Sequence, residues 1–253
     1  MEITLLGTGT SQGIPVVACS CEVCKSDDTF DKRLRTSALI KTSGTTICID
    51  AGPDFRQQML RENVEKLDAV LITHNHKDHT GGLDDVRAFN WVHKKPMDVY
   101  ARKEVVKSLK QDYAYAFEDF KYPGVPQIDL YEVPYDEFSI GSINIIPIEA
   151  MHLKMPVVGF RIGKFSYLTD ANLIKPEEID KMRGSDVIVL NALRKEKHVS
   201  HFNLEEAIAL IQEINPKKAY LTHLSHQMGL HKEVSKTLPK NIFLGYDGLK
   251  IKL

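Results

Sequence analysis

Short apolar runs separated by polar breaks predict strands at residues 2–7, 37–42 and 45–50. Pro53 then opens a helix, and a buried strand follows at 68–72. The stretch 83–94 reads as a helix and 97–101 as a strand, and 103–111 reads as a helix with Val105, Val106 and Leu109 at apolar positions. Further strands are predicted near 128–132, 143–149, 157–162, 165–169, 185–190, 217–221 and 242–244, with helices at 176–182 and 203–213. Asp247-Gly248 reads as a turn before a last strand. Strands interleaved with helices predict an α/β protein whose sheets pack on each other with helices outside, although periodicity leaves the strand order open. No internal repeat, low-complexity tract or Gly/Ser-rich linker interrupts the pattern, so residues 1–253 read as a single domain. The segment 112–127, with five aromatics and two prolines, is the least regular. It reads as a packed surface insertion, with a substrate lid or a subunit contact as the sharper alternative.

Composition narrows the classes. The chain carries 33 Lys+Arg against 34 Asp+Glu, a formal charge of -1, so nothing global attracts a nucleic-acid polymer or an anionic membrane. No apolar stretch approaches the roughly 20 residues needed to cross a bilayer. The start, MEITLLGTGTSQG, has no basic n-region and reads as a strand rather than an export signal. The expected compartment is therefore the cytosol, where thiols stay reduced and clustered cysteines bind metal more often than they form disulfides.

The most informative residues are Thr73-His74-Asn75-His76-Lys77-Asp78-His79, directly after the apolar run AVLI and before Gly81-Gly82. In an extended segment residues i and i+2 share a side, so His74 and His76 offer two imidazoles to one ion. A turn at Lys77 lets Asp78 and His79 face a second ion, and the glycines let the backbone curl back. Unmetallated, such a cluster would repel itself when protonated and lose hydration when buried. Its mixed nitrogen and oxygen donors suit Zn²⁺, Mn²⁺ or Fe²⁺.

His-x-His-x-Asp-His after a strand resembles the signature of the metallo-β-lactamase superfamily. That resemblance covers nearly the whole chain and implies an αβ/βα four-layer sandwich with two mixed β-sheets and two divalent metals at one edge. It implies later ligands at His152 in EAMHLK, Asp170 in YLTDAN and His223 in YLTHLSH. His74, His76 and His152 would hold the first ion, Asp78, His79 and His223 the second, and Asp170 would bridge them. Asp50, in ICIDAG, matches a position whose expected role is to orient the loop by hydrogen bonding. The redox branch of the superfamily typically has Glu where His76 stands, which points to the hydrolytic branch.

Cys19, Cys21 and Cys24 form C-x-C-x2-C, thiols too close together for a disulfide framework and suited to a structural Zn²⁺ in a loop at about 18–26, with one further ligand needed. Cys48, isolated in a predicted strand, reads as core. GTGTSQGIPVVACSCEVC near the start, SHFN at 200–203 and THLSHQ at 222–227 resemble the PhnP-like phosphodiesterases. That narrower resemblance implies His226 as the fourth zinc ligand, and His201 as an active-site acid beside two Mn²⁺ or Zn²⁺ ions. Asp78 joins His201 as a catalytic candidate as well as a ligand. It also implies a homodimer and a small, cyclic phosphodiester as substrate. His93, His198 and His231 read as surface residues, and Arg194 and Lys154 as candidates for substrate selectivity.

Two other functions compete. A tRNA-processing endonuclease shares the metal loop, but its long RNA-gripping arm has no evident counterpart and the balanced charge gives RNA little purchase. A non-catalytic, zinc-organised interaction protein would keep the metals and hydrolyse nothing.

Overall fold

The computed structural model describes residues 1–119 and 122–253. Its first sheet contains β1 (Glu2–Gly7), β2 (Ser37–Thr42), β3 (Thr45–Ile49), β4 (Ala69–Leu71), β5 (Met97–Ala101) and β6 (Ile128–Glu132), side by side in that order. The second contains β7 (Phe138–Ile140), β8 (Ile143–His152), β9 (Met155–Ile162), β10 (Phe165–Leu168), β11 (Leu173–Ile174), β12 (Val187–Asn191), β13 (Lys218–Thr222) and β14 (Ile242–Leu244). Their order is β11-β8-β9-β10-β12-β13-β14, with β7 beside β8, and β15 (Lys250–Lys252) returns to pair with β1. Both sheets are mixed. β3 to β6 run parallel, as do β10, β12, β13 and β14, whereas the β1-β2-β3 and β7-β8-β9-β10 pairings are antiparallel.

Period-two side-chain geometry explains the layering. Ile3, Leu5, Ala38, Ile40, Ile47 and Ile49 face Val158, Phe160, Phe165, Tyr167 and Val189 of the second sheet in one buried layer. The intervening residues Leu39, Cys48 and Val70 face outward, where Phe55, Met59, Val105 and Leu109 of helices Phe55–Arg61 and Lys103–Asp112 cover them. Helices Pro176–Met182 and Leu204–Ile214 cover the far side of the second sheet with Ile179, Met182, Ala207 and Ile211. Helix, sheet, sheet and helix give the expected four-layer sandwich. Strands buried on both faces read as continuous apolar runs, which is how β12 and β4 look in sequence. Among the described residues, no helix is long and apolar enough to cross a membrane.

Boundaries differ in instructive places. The stretch read as one helix over 83–94 is a 3₁₀ turn, Leu83–Val86, followed by an α-helix, Arg87–His93. Leu83 and Val86, both fully buried, sit at the three-residue spacing that a 3₁₀ turn aligns. β8 runs on to His152 rather than ending at 149, because His152 pairs with Met155 across a two-residue turn in which Leu153 takes φ 57°. In the aromatic segment, Tyr113 donates to the carbonyl of Thr80 at 2.6 Å and Tyr115 to Asp84. Residues 113–117 thus pack on the loop that follows the histidine cluster, as a packed insertion would. Residues 120 and 121 of that segment lie outside the described residues.

Candidate metal centre

Parallel strands bring their carboxyl ends to one edge, and ligands bind at that edge in open α/β sheets. Asp50 follows β3, His74 and His76 follow β4, and Asp170 follows β10. His223 follows β13, and His152 ends β8. Asp50, Asp170 and His223 all adopt positive φ, 64°, 57° and 56°. Left-handed backbone is uncommon outside glycine, and Asp and His tolerate it better than most residues. Three strand ends thereby bend their side chains into the same space.

The loop after β4 turns into a short helix, Lys77–Thr80, which carries Asp78 and His79. Gly81 and Gly82 close it, but their φ values of -67° and -105° are ordinary. They are needed for close approach instead. A Cβ on Gly82 would lie 2.0 Å from the carbonyl oxygen of Gly52, and one on Gly52 would lie 2.0 Å from that of Asp78. Backbone therefore packs directly on backbone beneath the cluster.

Asp170 sits at the centre. One of its oxygens is 3.2 Å from His79 Nε2, and the other is 3.1 Å from His223 Nε2 and 3.8 Å from His201 Nδ1. Asp78 Oδ2 lies 3.1 Å from His79 Nε2 and 3.6 Å from His223 Nε2. On the other side, the rings of His74 and His76 are 4.7 Å apart, and those of His76 and His152 are 5.1 Å apart. The structure thus brings His74, His76, Asp78, His79, His152, Asp170, His223 and His201 together.

The donor chemistry of the cluster fits cations. His74 Nε2, His79 Nε2 and His223 Nε2 are buried without a hydrogen-bond partner. Such atoms are costly to desolvate unless something positive satisfies them. At His79 and His152 one nitrogen is held, His79 Nδ1 donating to Asp50 at 2.7 Å and His152 Nδ1 to the carbonyl of Ser200 at 2.7 Å, whereas His223 Nδ1 is buried without a partner as well. His74 Nδ1 lies 3.0 Å from the Thr73 hydroxyl. That arrangement, one ring nitrogen anchored and the other free, is how proteins orient histidine ligands. Asp50 also accepts from the Thr73 amide at 2.9 Å, which gives it the orienting place expected from the sequence.

Burial and neighbouring charge divide the titration. Burial, reinforced by His79, pushes His74 well below the usual imidazole range. Where no cation competes for Nε2, burial opposes a charged His79, but Asp170 and Asp50 outweigh it and hold that imidazole well above its range. For Asp170 burial favours the neutral acid, yet His223 and His79 override it and take the carboxyl well below its ordinary value. His201 is pushed down to about 3 by burial and then by His223, so its resting ring is neutral at pH 7.

A second cluster lies on the far side of residues 223–226. His226 Nδ1 is 3.3 Å from Cys19 Sγ, 3.3 Å from Cys21 Sγ and 3.6 Å from Cys24 Sγ. A tetrahedral Zn²⁺ with ordinary Zn–S and Zn–N bonds would set these edges at about 3.6 Å. The four donors therefore match one Cys₃His site. The amides of Val16 and Cys24 donate to Cys24 Sγ and Cys21 Sγ, bonds that favour thiolates. Cys48 is fully buried in the core, as expected.

Several expectations are refined. His93, His198 and His231 are half-buried at the surface, and each has a neighbour. His93 Nε2 meets the carbonyl of Glu65 at 2.9 Å, and His231 stacks on Phe30 with Nδ1 3.1 Å from Arg33. The ring of His198 lies 5.3 Å from that of His201, three residues further along the chain. Arg194 is committed to Gln227 at 2.8 Å and to the carbonyl of Lys197 at 3.0 Å, while Lys154 is exposed in the turn after His152. Sequence reasoning also missed Asn191, whose amide clamps both backbone groups of Ala171 at 2.9 Å and fixes the turn carrying Asp170.

Known proteins resemble the chain to different extents. Residues 45–224 match the family model of the β-lactamase superfamily domain. A protein of Porphyromonas gingivalis named octanoyltransferase is 44% identical over 253 residues, covering 99% of this chain and 51% of that protein. A ribonuclease Z of Methanopyrus kandleri is 29% identical over 133 residues, 51% of this chain and 44% of that protein. The chain spans about half the length of these curated relatives. Among solved structures, a diphosphatase from the PhnP family is 35% identical with a TM-score of 0.93, the alignment covering all of this chain and 97% of that one. With the family model matching most of its length and a PhnP-family structure superposing on nearly all of it, the chain belongs to the metallo-β-lactamase superfamily and to its PhnP family.

Proposed function

We propose that the protein is a dinuclear-metal-dependent phosphodiesterase acting on a small, cyclic phosphodiester. The observation that carries this reading is the Asp170 carboxylate, which belongs to two overlapping donor groups, one with Asp78, His79 and His223 and one with His152 and His201. A carboxylate shared by two donor groups would suit two cations. In this reading His74, His76 and His152 would hold one ion and Asp78, His79 and His223 the other, with Asp170 available to both. When bound, such a pair supplies positive charge that makes a water acidic near neutral pH and neutralises phosphate oxygens.

The chain's own residues do the remainder. Asp50 and Ser200 fix the tautomers of His79 and His152 by accepting their Nδ1 protons. His201, neutral at rest, takes up a proton from solvent water as the substrate's negative charge enters beside it, and passes that proton to the departing alkoxide oxygen. Its Nδ1 stands 3.8 Å from Asp170, at the rim of the same cluster. The Cys₃His set takes a structural Zn²⁺ that holds residues 19–24 against His226.

The PhnP-family relative is described as a diphosphatase, which supports phosphorus–oxygen chemistry. The name octanoyltransferase belongs to a protein of which this chain covers 51%, so acyl transfer is not carried over. The test is a panel of bis(p-nitrophenyl) phosphate, small cyclic phosphates, a diphosphate-linked ester, a thioester, a lactone and precursor tRNA, run with Mn²⁺ and with Zn²⁺. Cleavage of the diesters, cyclic ones foremost, is the expected result. Cleavage of precursor tRNA without small-diester turnover would favour the nuclease, and no turnover of anything would favour the interaction protein.

A further inference from the structure

A recess opens beside the metal centre along the same sheet edge. β4, β5 and β6 run parallel and end side by side, so Asn75, Arg102 and Tyr135 lie just beyond three adjacent strand ends. β8 supplies Glu149 and the start of β9 supplies an apolar wall, with a cavity of about 150 Å³ between them. His74 lines it as well, so the cavity adjoins the cluster where the reaction is proposed.

Arg102 holds two of its polar groups, Glu149 and Tyr135, in place. Arg102 Nη1 donates to the carbonyls of Val133 and Pro134 at 2.9 and 2.6 Å, and Nη2 donates to Glu149 Oε1 at 2.8 Å. The guanidinium also lies 4.3 Å from the centre of the Tyr135 ring. These contacts pin the turn after β6 onto β8. Among the described residues they leave the second oxygen of the partly exposed Glu149 and the hydroxyl of Tyr135 without partners.

Charge and size select the occupant. Arg102 is matched by Glu149, and Glu104 adds a second carboxylate to the lining, so the wall carries a net negative charge that repels another phosphate. Free carboxylate and phenol oxygens accept hydrogen bonds from hydroxyl groups. Whole-ligand pockets usually measure about 300–1,000 Å³, so this recess fits one arm of a substrate rather than a nucleotide. We propose that it takes the neutral, hydroxylated, non-reacting end of the ester, with Glu149 accepting its hydroxyl and Tyr135 assisting. The proposal rests on the phosphodiesterase reading and names the part of the substrate that the reading leaves open.

Glycerol 1,2-cyclic phosphate and ethylene phosphate present the same reacting ring and differ by one hydroxymethyl arm. The unaltered protein should favour the glycerol ester by about tenfold or more in kcat/KM, the size of a hydrogen bond to a charged group. Glu149→Gln, which keeps an oxygen for Arg102 and so keeps the turn in place, should bring that ratio close to one, and Tyr135→Phe should lower it by a smaller factor. A ratio near one in the unaltered protein, or the same ratio in Glu149→Gln, would overturn the proposal. If neither ester is cleaved, turnover of bis(p-nitrophenyl) phosphate decides whether the phosphodiesterase reading stands, and saturation-transfer NMR with D-ribose decides the recess by itself. Transfer that is lost in Glu149→Gln supports it, and transfer that is absent or unchanged overturns it.

Discussion

His223 and His226 stand three residues apart and serve different clusters: His223 Nε2 is 3.1 Å from Asp170, while His226 Nδ1 is 3.3 Å from the sulfurs of Cys19 and Cys21. Between them Leu224 pairs with the backbone of Thr8 and Thr10, so one short segment is tied to the N-terminal region from both ends. Disturbing the cysteines should therefore reach the catalytic edge through the backbone. Cys21→Ser should bind one zinc fewer per chain and melt several degrees lower, since about 2 kcal/mol lost corresponds to roughly 4–8 °C for a chain of this size. Its turnover should fall while the two ions of the active-site cluster stay. Elemental analysis beside a thermal melt checks this, and an unchanged zinc count would contradict it.

The three thiols should also differ in reactivity once metal is stripped. The Cys24 amide and His226 bring Cys21 down to about 6, whereas burial pushes Cys24 up to about 11. A lowered thiol is thiolate above its own pKa, so iodoacetamide labelling of Cys21 should rise between pH 5 and 7 and then level off. Cys24 should stay unlabelled until strongly alkaline pH. Peptide mass spectrometry across pH would show the order, and equal labelling of both at pH 7 would be inconsistent with it.

His201→Ala should keep the metals and lose about 10²- to 10⁴-fold in turnover, the usual contribution of a positioned acid. The structure adds a sharper alternative, because His201, His152 and Asp170 present donor atoms within 4.8 Å of one another. If His201 is a ligand, the variant will instead lose an ion. Metal content measured with kcat separates the two.

Gly52→Ala and Gly82→Ala should each be destabilising by about 2 kcal/mol or more, since the added methyl group would lie 2.0 Å from a carbonyl oxygen. The carbonyl that Gly52 approaches is that of Asp78, so Gly52→Ala should also weaken metal binding. Denaturant unfolding with and without Mn²⁺ measures both effects. Stability equal to that of the unaltered protein would mean that the contact is looser than described.

Much of this was legible in the chain. The long apolar runs placed β1, β2 and β12 because strands buried on both sides need no alternation to be seen. Phe138–Ile140 and Leu173–Ile174 were not predicted, since strands of three and two residues carry too few positions for a period to register. The loop 74–79 declared itself by ligand density. His152, Asp170 and His223 are single residues at strand ends, and only resemblance to a family assigned them before topology brought the ends together. Asn191 had no sequence signal, because its meaning depends on which turn it faces.

The central claim is that two cations shared by the Asp170 cluster are what make this edge hydrolytic. Protein stripped of metal, reloaded stepwise with Mn²⁺ or Zn²⁺ after its structural site is filled, and assayed on bis(p-nitrophenyl) phosphate tests that most directly. Turnover should rise with loading and reach its plateau at two equivalents per chain, and it should vanish in Asp170→Ala. Full turnover in the stripped protein, or none at any loading, would contradict the account.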